Sequence, residues 1–318
     1  MESTRALDGP AATSSSIHSS ATGDDSLSSP SLPDNRTPPG SPHVPDQDHP
    51  PRRPAPHHGS SPLLDDQHLI PSTDVVLGQY RLRFARTLED LEMVRRLRYA
   101  VFNVELGEGL AGAHETGLDA DAFDRQCQHL MVLERGSGGV VGTYRMQTAD
   151  SANAGHGWYT AGEFELGQMP PETLATAAEL GRACVARAHR DKTVLFLLWH
   201  GLMQYAAHTG VDAFFGCSSL TGTDPEPALA LYAQLLREGH VHERYQAPPR
   251  LAMACPLVHW PVGPDPEPVH VPKLFATYLR HGAKVLGPPA VDHEFGTVDF
   301  LTWVQITPRH WRLFGKPR

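Results

Sequence analysis

The chain has 318 residues, of which 40% are hydrophobic and 20% charged, which is ordinary for a globular protein with one large domain or two small ones. Its net charge of −9 is concentrated in residues 1–75, and the nearly neutral remainder gives no support to broad nucleic-acid binding. Four cysteines lie far apart, a pattern typical of reduced thiols in an intracellular protein. The longest aliphatic and aromatic run, 194–199, is too short to span a bilayer, so we predict a cytoplasmic protein without a signal peptide or transmembrane helix.

Residues 1–75 differ in composition from the rest of the chain. They are rich in Ser, Pro, Asp and His and hold 13 of the 29 prolines. Such a segment buries too little apolar surface to offset the entropy cost of ordering it. We therefore predict a disordered tail over 1–75 and a single domain over 76–318. The histidines of the tail have no metal-ligand spacing, so a flexible tail is favoured over a metal site.

The domain is predicted to open with a strand and a helix. Residues 79–85 alternate between apolar and polar side chains, which predicts a strand, and residues 88–104 carry apolar side chains at helical spacing. Arg98 and Phe102 stand one turn apart near the end of this helix and share a face. The pair is part of a site, or it is a solvated arginine beside a core phenylalanine.

An acidic loop and a hairpin come next. Asp119, Asp121 and Asp124 lie close together in a polar stretch, which by itself is typical of a solvated loop. Residues 129–134 and 140–146 have strand-like patterns and flank a glycine-rich turn. They predict a β-hairpin that carries Arg145 in its second strand.

Residues 179–185 predict a further strand, which carries Glu179 and Arg182. Side chains three residues apart on a regular strand point to opposite faces. We therefore predict a kink or bulge between Glu179 and Arg182 if both belong to one site.

A basic turn and a long helix follow this strand. The basic side chains of the turn are Arg187, Arg190 and Lys192. The helix is predicted to begin after Asp191, a good N-cap residue, and to end at Gly210, ahead of another strand over 211–217. Backbone N–H groups and the dipole at a helix N-terminus both favour negative charge, so we expect an anionic group of a ligand at this turn.

Four short motifs occur in one order along the chain. They are Arg98-x-x-x-Phe102, Asp121-x-x-Asp124, Arg145 in the hairpin and Glu179-x-x-Arg182. This order and spacing resembles the acyl-homoserine-lactone synthases and, more closely, the bacterial ornithine N-acyltransferases and N-acyl amino acid synthases, families that share the GNAT acyltransferase fold. Further similarity to the ornithine lipid enzymes lies in Asp124-x-x-x-x-His129, in Leu198-Trp199-x-Gly201, in Gly216-x-x-Ser219 and in a C-terminal block over 272–300.

The resemblance implies a GNAT-like α/β fold with a mixed, mostly antiparallel sheet flanked by helices. It also implies an N-acyltransferase that moves a long-chain, 3-hydroxylated acyl group from acyl carrier protein to the α-amine of L-ornithine, the first step of ornithine lipid synthesis. Another N-acyl amino acid synthase or an acyl-homoserine-lactone synthase stays an open alternative. A non-catalytic acyl-binding or membrane-associated protein, which is a different functional class, also stays an open alternative.

The chemistry of such a transfer can be matched to the motifs. An amine that attacks a thioester must lose its ammonium proton, and the oxyanion that forms needs hydrogen-bond donors. A carboxylate such as Glu179 can take the proton directly or through a water, the loop acids can hold a cationic amino acid, and an arginine can bind its carboxylate. We therefore expect catalytic roles for Glu179, Asp121 and Arg182, and substrate-binding roles for Arg98, Phe102, Asp124 and Arg145. The alternative is that these acids and arginines pair with one another and only brace the fold.

The basic turn lacks the Gln/Arg-x-x-Gly-x-Gly/Ala pattern that cradles the CoA pyrophosphate in acetyl-CoA-dependent enzymes of the GNAT fold. We therefore predict that the donor is a phosphopantetheine thioester carried by acyl carrier protein, with no other cofactor and no metal. The residues expected to bind the phosphopantetheine are Val185, Arg187, Arg190 and Lys192. A backbone N–H near Cys184 or Val185 is expected to hold the oxyanion.

Residues 273–318 carry a net charge of +4 in a chain that is negative overall. We expect this segment to dock the acidic carrier protein. The competing interpretation is peripheral contact with anionic lipid at the inner face of the membrane, through the same charges and through Trp303, Trp311 and Phe314.

Cys184 offers a covalent alternative, with His189 as its partner, because a basic loop lowers the pKa of a thiol. A cysteine flanked by Ala183 and Val185 on a strand is more typical of a small core residue. We therefore favour direct transfer without a nucleophilic side chain.

Overall fold

The computed structural model describes residues 67–72, 74–256 and 269–315. Most of the predicted tail, residues 1–66 and 73, lies outside the described residues. The last part of that segment belongs to the domain, because a 3-10 turn over Gln67–Leu69 leads Ile70 into the main core at 4% exposure.

One mixed sheet organises the described residues. Its strands are β1 Val75–Leu77, β2 Tyr80–Phe84, β3 Gln128–Glu134, β4 Val140–Thr148, β5 Ala177–Val185, β6 Ala213–Thr221, β7 Lys284–Val285, β8 Ala290–Asp292 and β9 Thr297–Gln305. They lie in the order β1-β2-β3-β4-β5-β6-β9-β7, and β8 pairs with β9. Every pairing is antiparallel except that of β5 with β6. The predicted hairpin of β3 and β4 is confirmed.

Eight α-helices accompany the sheet in the part of the chain that the structure describes. They are α1 Leu88–Tyr99, α2 Ala113–Thr116, α3 Ala149–Ala154, α4 Pro171–Ala175, α5 Lys192–Thr209, α6 Pro225–Arg237, α7 Lys273–Arg280 and α8 Pro308–Phe314. A π-helix over Ala100–Leu106 continues α1. The helix predicted over 88–104 is therefore confirmed, although its last turn and a half is wider than an α-helix.

Local sequence signals fix the ends of α5. The Asp191 carboxylate accepts hydrogen bonds from the N–H groups of Thr193 and Val194, and Gly210 ends the helix with a φ of 79°. An N-cap carboxylate satisfies donors that the helix itself leaves free, and glycine tolerates the left-handed C-terminal residue. The predicted start and stop of this helix are both confirmed.

The sheet is covered on two faces. Helix α5 is buried on most sides and packs its leucines and Trp199 against Phe84, Leu130 and Phe214 of the sheet. A separate cluster around Phe164 and Trp303 covers the opposite face near β6 and β9. Burying each of these large side chains contributes about 1.5–3 kcal/mol.

Strands β5 and β6 separate after a short stretch of pairing. They pair in parallel only from Ala177 to Glu179, opposite Ala213 to Phe215. At the point of separation Gly216 comes so close to the strand β5 backbone that a Cβ there would overlap the carbonyl oxygen of Leu180. Beyond this point β5 pairs with β4 alone and β6 pairs with β9, so the sheet opens into a wedge.

A bulge bends β5 beside the wedge. Between two paired positions, β5 runs from Gly181 to Cys184 while β4 runs only from Arg145 to Thr143, so β5 carries one extra residue. Arg182 lies in this bulge with a φ of 48°, a conformation that non-glycine residues seldom adopt. The predicted kink between Glu179 and Arg182 is confirmed.

Candidate active site

A cavity of about 810 Å³ occupies the wedge between β5 and β6. Alternation along the strands divides its lining between the two faces of the sheet. On the face covered by α5 the lining is apolar and includes Leu198, Leu202, Phe214 and Val304. On the opposite face it is polar and includes Arg145, Gln147, Glu179, Arg182, Cys217 and Asp299. One cavity can therefore contact a charged molecule on one face and an apolar chain on the other.

The acids of the loop and the arginines of three elements form one buried network. Arg98 of α1 pairs with Asp119, and its Nη1 donates to Asp124 Oδ1 at 2.7 Å. Arg95 donates to Asp124 Oδ2 at 2.8 Å, and Arg145 donates to the same carboxylate at 3.0 Å. Three arginines thus surround Asp124, which is fully buried.

Asp121 links this network to the cavity wall. Arg145 Nη1 lies 2.6 Å from both of its oxygens, and Arg182 Nη2 donates to Oδ2 at 3.0 Å. Burial alone would raise the pKa of the Asp121 carboxyl, but Arg145 and Arg182 hold this pKa below its usual value. Asp121 therefore orients the two arginines that face the cavity.

The network places the predicted site residues in two groups. Phe102, Arg145, Glu179, Arg182, Val185, Arg190 and Lys192 line the cavity, whereas Arg98, Asp121, Asp124 and Arg187 do not. Arg98 and Asp124 have no exposed surface and already pair with each other, so their geometry assigns them a supporting position behind the wall. This differs from the direct substrate contact that the sequence suggested for them.

Arg182 is a cationic group of the cavity wall that its neighbours hold in place. Its guanidinium lies between two aromatic rings, 4.9 Å from the centre of Tyr159 and 4.4 Å from that of Phe295. Nη1 donates to the Tyr159 hydroxyl at 3.3 Å, while the Asp121 carboxylate holds Nη2. Rings on both sides keep the planar group fixed, as recognition of a carboxylate requires.

Glu179 is a cavity carboxylate whose two oxygens are both occupied. Oε1 accepts from the backbone N–H and the hydroxyl of Thr160, at 2.8 and 2.7 Å. Oε2 accepts from Gln147 Nε2 at 2.5 Å and from the backbone N–H of Tyr159 at 3.0 Å. Its contacts therefore join β4 and β5 to the turn over Tyr159–Gly162.

Cys184 is a poor nucleophile in this setting. Burial raises the pKa of its thiol to about 12, so the thiol stays protonated at neutral pH. His189, its predicted partner, instead places Nδ1 3.0 Å from the Tyr80 hydroxyl. The geometry disfavours the covalent alternative. Beyond Glu179, the backbone N–H and C=O groups on the edge of β5 that faces the wedge have no pairing partner in β6.

The basic turn before α5 is partly engaged with acids. Arg190 makes a two-pronged contact with Glu105 at 2.6 and 2.9 Å, and its Nε donates to the carbonyl of Val185 at 3.0 Å. Asp191 occupies two N–H groups of the helix N-terminus. Arg187 and Lys192 are exposed. The turn therefore keeps cationic side chains for a phosphate, but the helix end already holds a carboxylate.

Sequence reasoning missed a second acidic group beside the polar face of the cavity, where Cys217 and Asp299 line the wall and Glu163 lies next to them. Glu163, Cys217 and Asp299 place one potential ligand atom each within 4.8 Å of one another. Asp299 belongs to the C-terminal block that carried the resemblance, but no role followed from that block, and Glu163 belongs to none of the motifs identified in the sequence. Only the register of β6 with β9 brings these residues together.

Two of the three C-terminal aromatic residues named above are buried, and the third, Trp311, is partly buried and packs against the main core. Trp303 and Phe314 are 3% and 8% exposed, and Phe314 stacks on Trp199 with ring centres 5.0 Å apart. Both are therefore packed in the core, which corrects the suggestion that they meet a membrane. No helix within residues 67–72, 74–256 and 269–315 has the length and apolar character needed to cross a bilayer.

The chain is similar to proteins of known activity. A family model for the acetyltransferase (GNAT) domain matches residues 97–200, and with the opened sheet it confirms the expected fold. The L-ornithine N(alpha)-acyltransferase of Rhizobium meliloti (strain 1021) is 32% identical over 260 residues, which cover 77% of this chain and 88% of that protein. The protein of the same name from Agrobacterium fabrum (strain C58) is 32% identical over 252 residues, which cover 73% and 82%. The solved AHL synthase LasI overlaps with a TM-score of 0.41 at 11% identity, covering 75% of this chain and 97% of that one.

Proposed function

The chain belongs to the L-ornithine N(alpha)-acyltransferase family, and we propose that it transfers a long-chain acyl group from a thioester to the α-amine of L-ornithine. This reaction is the first step of ornithine lipid synthesis. The observation that carries the proposal is the cavity between β5 and β6, which has arginines and carboxylates on one face and an apolar wall on the other. A charged amino acid and an acyl chain can meet there at a single point.

The reaction needs no covalent intermediate with the protein. The neutral α-amine attacks the thioester carbonyl, a C–N bond forms, the C–S bond breaks, and the thiolate leaves with a proton gained from solvent or from the base. Holding amine and thioester on opposite sides of one opening aligns them for this attack. The protonated thiol of Cys184 accords with direct transfer.

Glu179 is the proposed base for the ammonium proton. Of its four donors, the hydroxyl of Thr160 and the amide of Gln147 can turn away without moving the backbone and so free a lone pair. The proton then passes directly or through a water held in their place. Backbone N–H groups on the free edge of β5 near Cys184 are the proposed donors to the oxyanion.

Arg182 is the proposed partner of the acceptor α-carboxylate. It lines the cavity, its guanidinium is fixed by two rings, and it stands three residues from Glu179 across the bulge. Arg145 lies beside it and shares Asp121. Asp121 acts in this proposal by orienting the two arginines, so Asp121→Asn is expected to weaken every α-amino acid alike.

The donor is proposed to arrive on acyl carrier protein, with its phosphopantetheine directed over the basic turn. Arg187 and Lys192 are exposed there, and Arg309 and Arg312 are exposed on α8. Such charges accelerate encounter with an acidic partner and make binding dependent on salt. Charge reversal at Arg309 and Arg312 should raise the KM for acyl carrier protein in lipid-free buffer without changing kcat. An unchanged KM together with weaker binding to anionic liposomes would assign these charges to the membrane.

A reconstituted assay tests the function itself. The purified chain would receive long-chain thioesters on acyl carrier protein or CoA, with and without a 3-hydroxyl, and ornithine, lysine, norvaline or homoserine lactone as acceptor. Mass spectrometry should find the acyl amide of ornithine as the main product, formed fastest from the carrier protein. A main product with any other acceptor would contradict the proposal.

A further inference from the structure

Asp299 and Glu163 are two of the buried carboxylates near the polar face of the cavity that have no cationic partner; Asp299 lines the cavity, and Glu163 lies next to Asp299 and Cys217 without being part of the lining. Glu163 and Asp299 are 3% and 4% exposed, and neither forms an ion pair within the described part of the chain. The acids of the loop behave differently, because each of them pairs with at least one arginine. Two charged carboxylates buried side by side are costly, so the pair holds a proton or takes a cation that is supplied from outside.

Asp299 has an oxygen that is free to accept. The Thr297 hydroxyl donates to Oδ2 at 3.3 Å, and Ser219 and Glu163 are the other side chains that interact with this carboxyl. Oδ1 is buried and accepts from no N–H group or hydroxyl among the described residues. Asp299 also lines the cavity, on the same face of the sheet as Glu179. A buried acceptor left open toward a cavity indicates that a donor of the ligand completes it.

Glu163 completes a site for a cation. The Cys217 thiol donates to both of its oxygens at 3.7 and 3.8 Å, which leaves lone pairs on each. Glu163 follows the turn over Tyr159–Gly162, whose backbone N–H groups hold Glu179. Glu163 and the backbone donors that hold the proposed base therefore lie on one short segment.

We infer that Glu163 and Asp299 form the subsite that takes the side-chain ammonium of a cationic acceptor amino acid. This inference rests on the proposed function and extends it to the choice of acceptor. An ammonium brings three donors, which suits the free oxygen of Asp299 together with an oxygen of Glu163. The acids predicted for this role, Asp121 and Asp124, are already paired with arginines.

Protonation of the pair agrees with this geometry. Burial and the neighbouring Asp299 raise the pKa of Glu163 to about 10, and burial raises the pKa of Asp299 to about 6. At pH 7 the pair therefore holds about one proton. A bound ammonium would displace that proton, because the ligand now supplies the positive charge.

Calorimetry on the full chain without acyl donor tests the subsite directly. Ornithine and norvaline share the α-amine, the α-carboxylate and the length of the side chain, but only ornithine has the δ-ammonium. Titrations in buffers of different ionisation enthalpy should show that ornithine binds more tightly and releases about one more proton than norvaline at pH 7. Equal affinity and equal proton release for both ligands would overturn the inference.

The variant Asp299→Asn separates the subsite from the general site. It should lower kcat/KM for ornithine by about 10–100-fold and leave the value for norvaline within about threefold. Glu163→Gln should act in the same direction, which covers the case in which one variant fails to fold. The control Asp212→Asn makes the same charge change at an exposed residue that is not part of the cavity lining, and should alter neither value.

Three further outcomes are decisive. Equal losses for both acceptors in Asp299→Asn would show that the pair only supports the fold. One equivalent of a divalent metal in the purified chain, lost in Asp299→Asn, would make the site a metal site and refute the ammonium. If no acceptor is acylated while calorimetry still separates ornithine from norvaline, the proposed function fails and the subsite stands.

Discussion

Glu179→Gln tests the hydrogen bonds and the chemistry of the proposed base in one variant. The amide nitrogen replaces one oxygen, and it must face either the two donors from Thr160 or those from Gln147 and Tyr159. The Thr160 hydroxyl can rotate and the Gln147 amide can flip, but the two backbone N–H groups cannot turn away. In either orientation of the new amide, its nitrogen therefore faces one backbone N–H, that of Thr160 or that of Tyr159. One unsatisfied buried donor costs about 1–3 kcal/mol.

This cost should appear in the thermal melt. For a domain of this size, about 1–3 kcal/mol corresponds to a fall in Tm of roughly 2–12 °C. Loss of a general base should also reduce kcat by about 10²–10⁴-fold. The control Ile70→Val removes one methylene at a core residue that is not part of the cavity lining, and it should lower stability by about 0.5–1.5 kcal/mol without changing kcat.

The two measurements, kcat and Tm, test different roles of Glu179. An unchanged kcat in Glu179→Gln, together with the expected fall in Tm, would leave Glu179 as a structural carboxylate and require another base. An unchanged Tm would contradict the hydrogen-bond argument. If Ile70→Val lowers Tm and kcat as much as Glu179→Gln does, the loss of activity follows from the loss of stability alone.

Three further predictions follow from the same geometry. Gly216→Ala should reduce kcat at least tenfold, because its Cβ would push β6 away from the Leu180 carbonyl at the opening of the sheet, and unaltered steady-state kinetics would disprove this. The raised pKa of Glu163 means that the folded chain holds a proton that the unfolded chain loses above about pH 4.5. Stability should therefore fall as pH rises from 7 towards 10, and melts of Glu163→Gln should show a smaller fall, whereas parallel curves would contradict the assignment. Deletion of residues 1–66 should keep kcat/KM within a few-fold because Ile70 is retained, and insoluble or unfolded protein would argue against this.

Local patterns in the sequence predicted much of the fold. The ends of α5 follow from Asp191 and Gly210, since capping depends on residues adjacent in the chain. The bulge was predicted because Glu179 and Arg182 could not share a face of a regular strand. The widening of α1 into a π-helix at Ala100 had no such local signal.

The arrangement of the site depended on contacts between distant segments. The sequence showed the acids and arginines but could not tell which of them pair, and the structure joins Asp124 to arginines of α1 and β4. Glu163 and Asp299 lie 136 positions apart in the sequence and meet through the packing of a turn against β6 and β9. Two acids so far apart in the sequence form no motif, so only the folded chain shows that they are neighbours.

The most direct test of the proposed function follows the acyl group in a cell. A bacterial host that makes no ornithine lipid would express the full chain and receive ornithine labelled with ¹⁵N at the α position. Tandem mass spectrometry of the lipid extract should then show a new long-chain acyl amide in which the labelled nitrogen stays with the acyl fragment. An extract without this amide, or with the acyl group on the unlabelled δ-nitrogen or on another amino acid, would contradict the assignment of this chain as an ornithine Nα-acyltransferase.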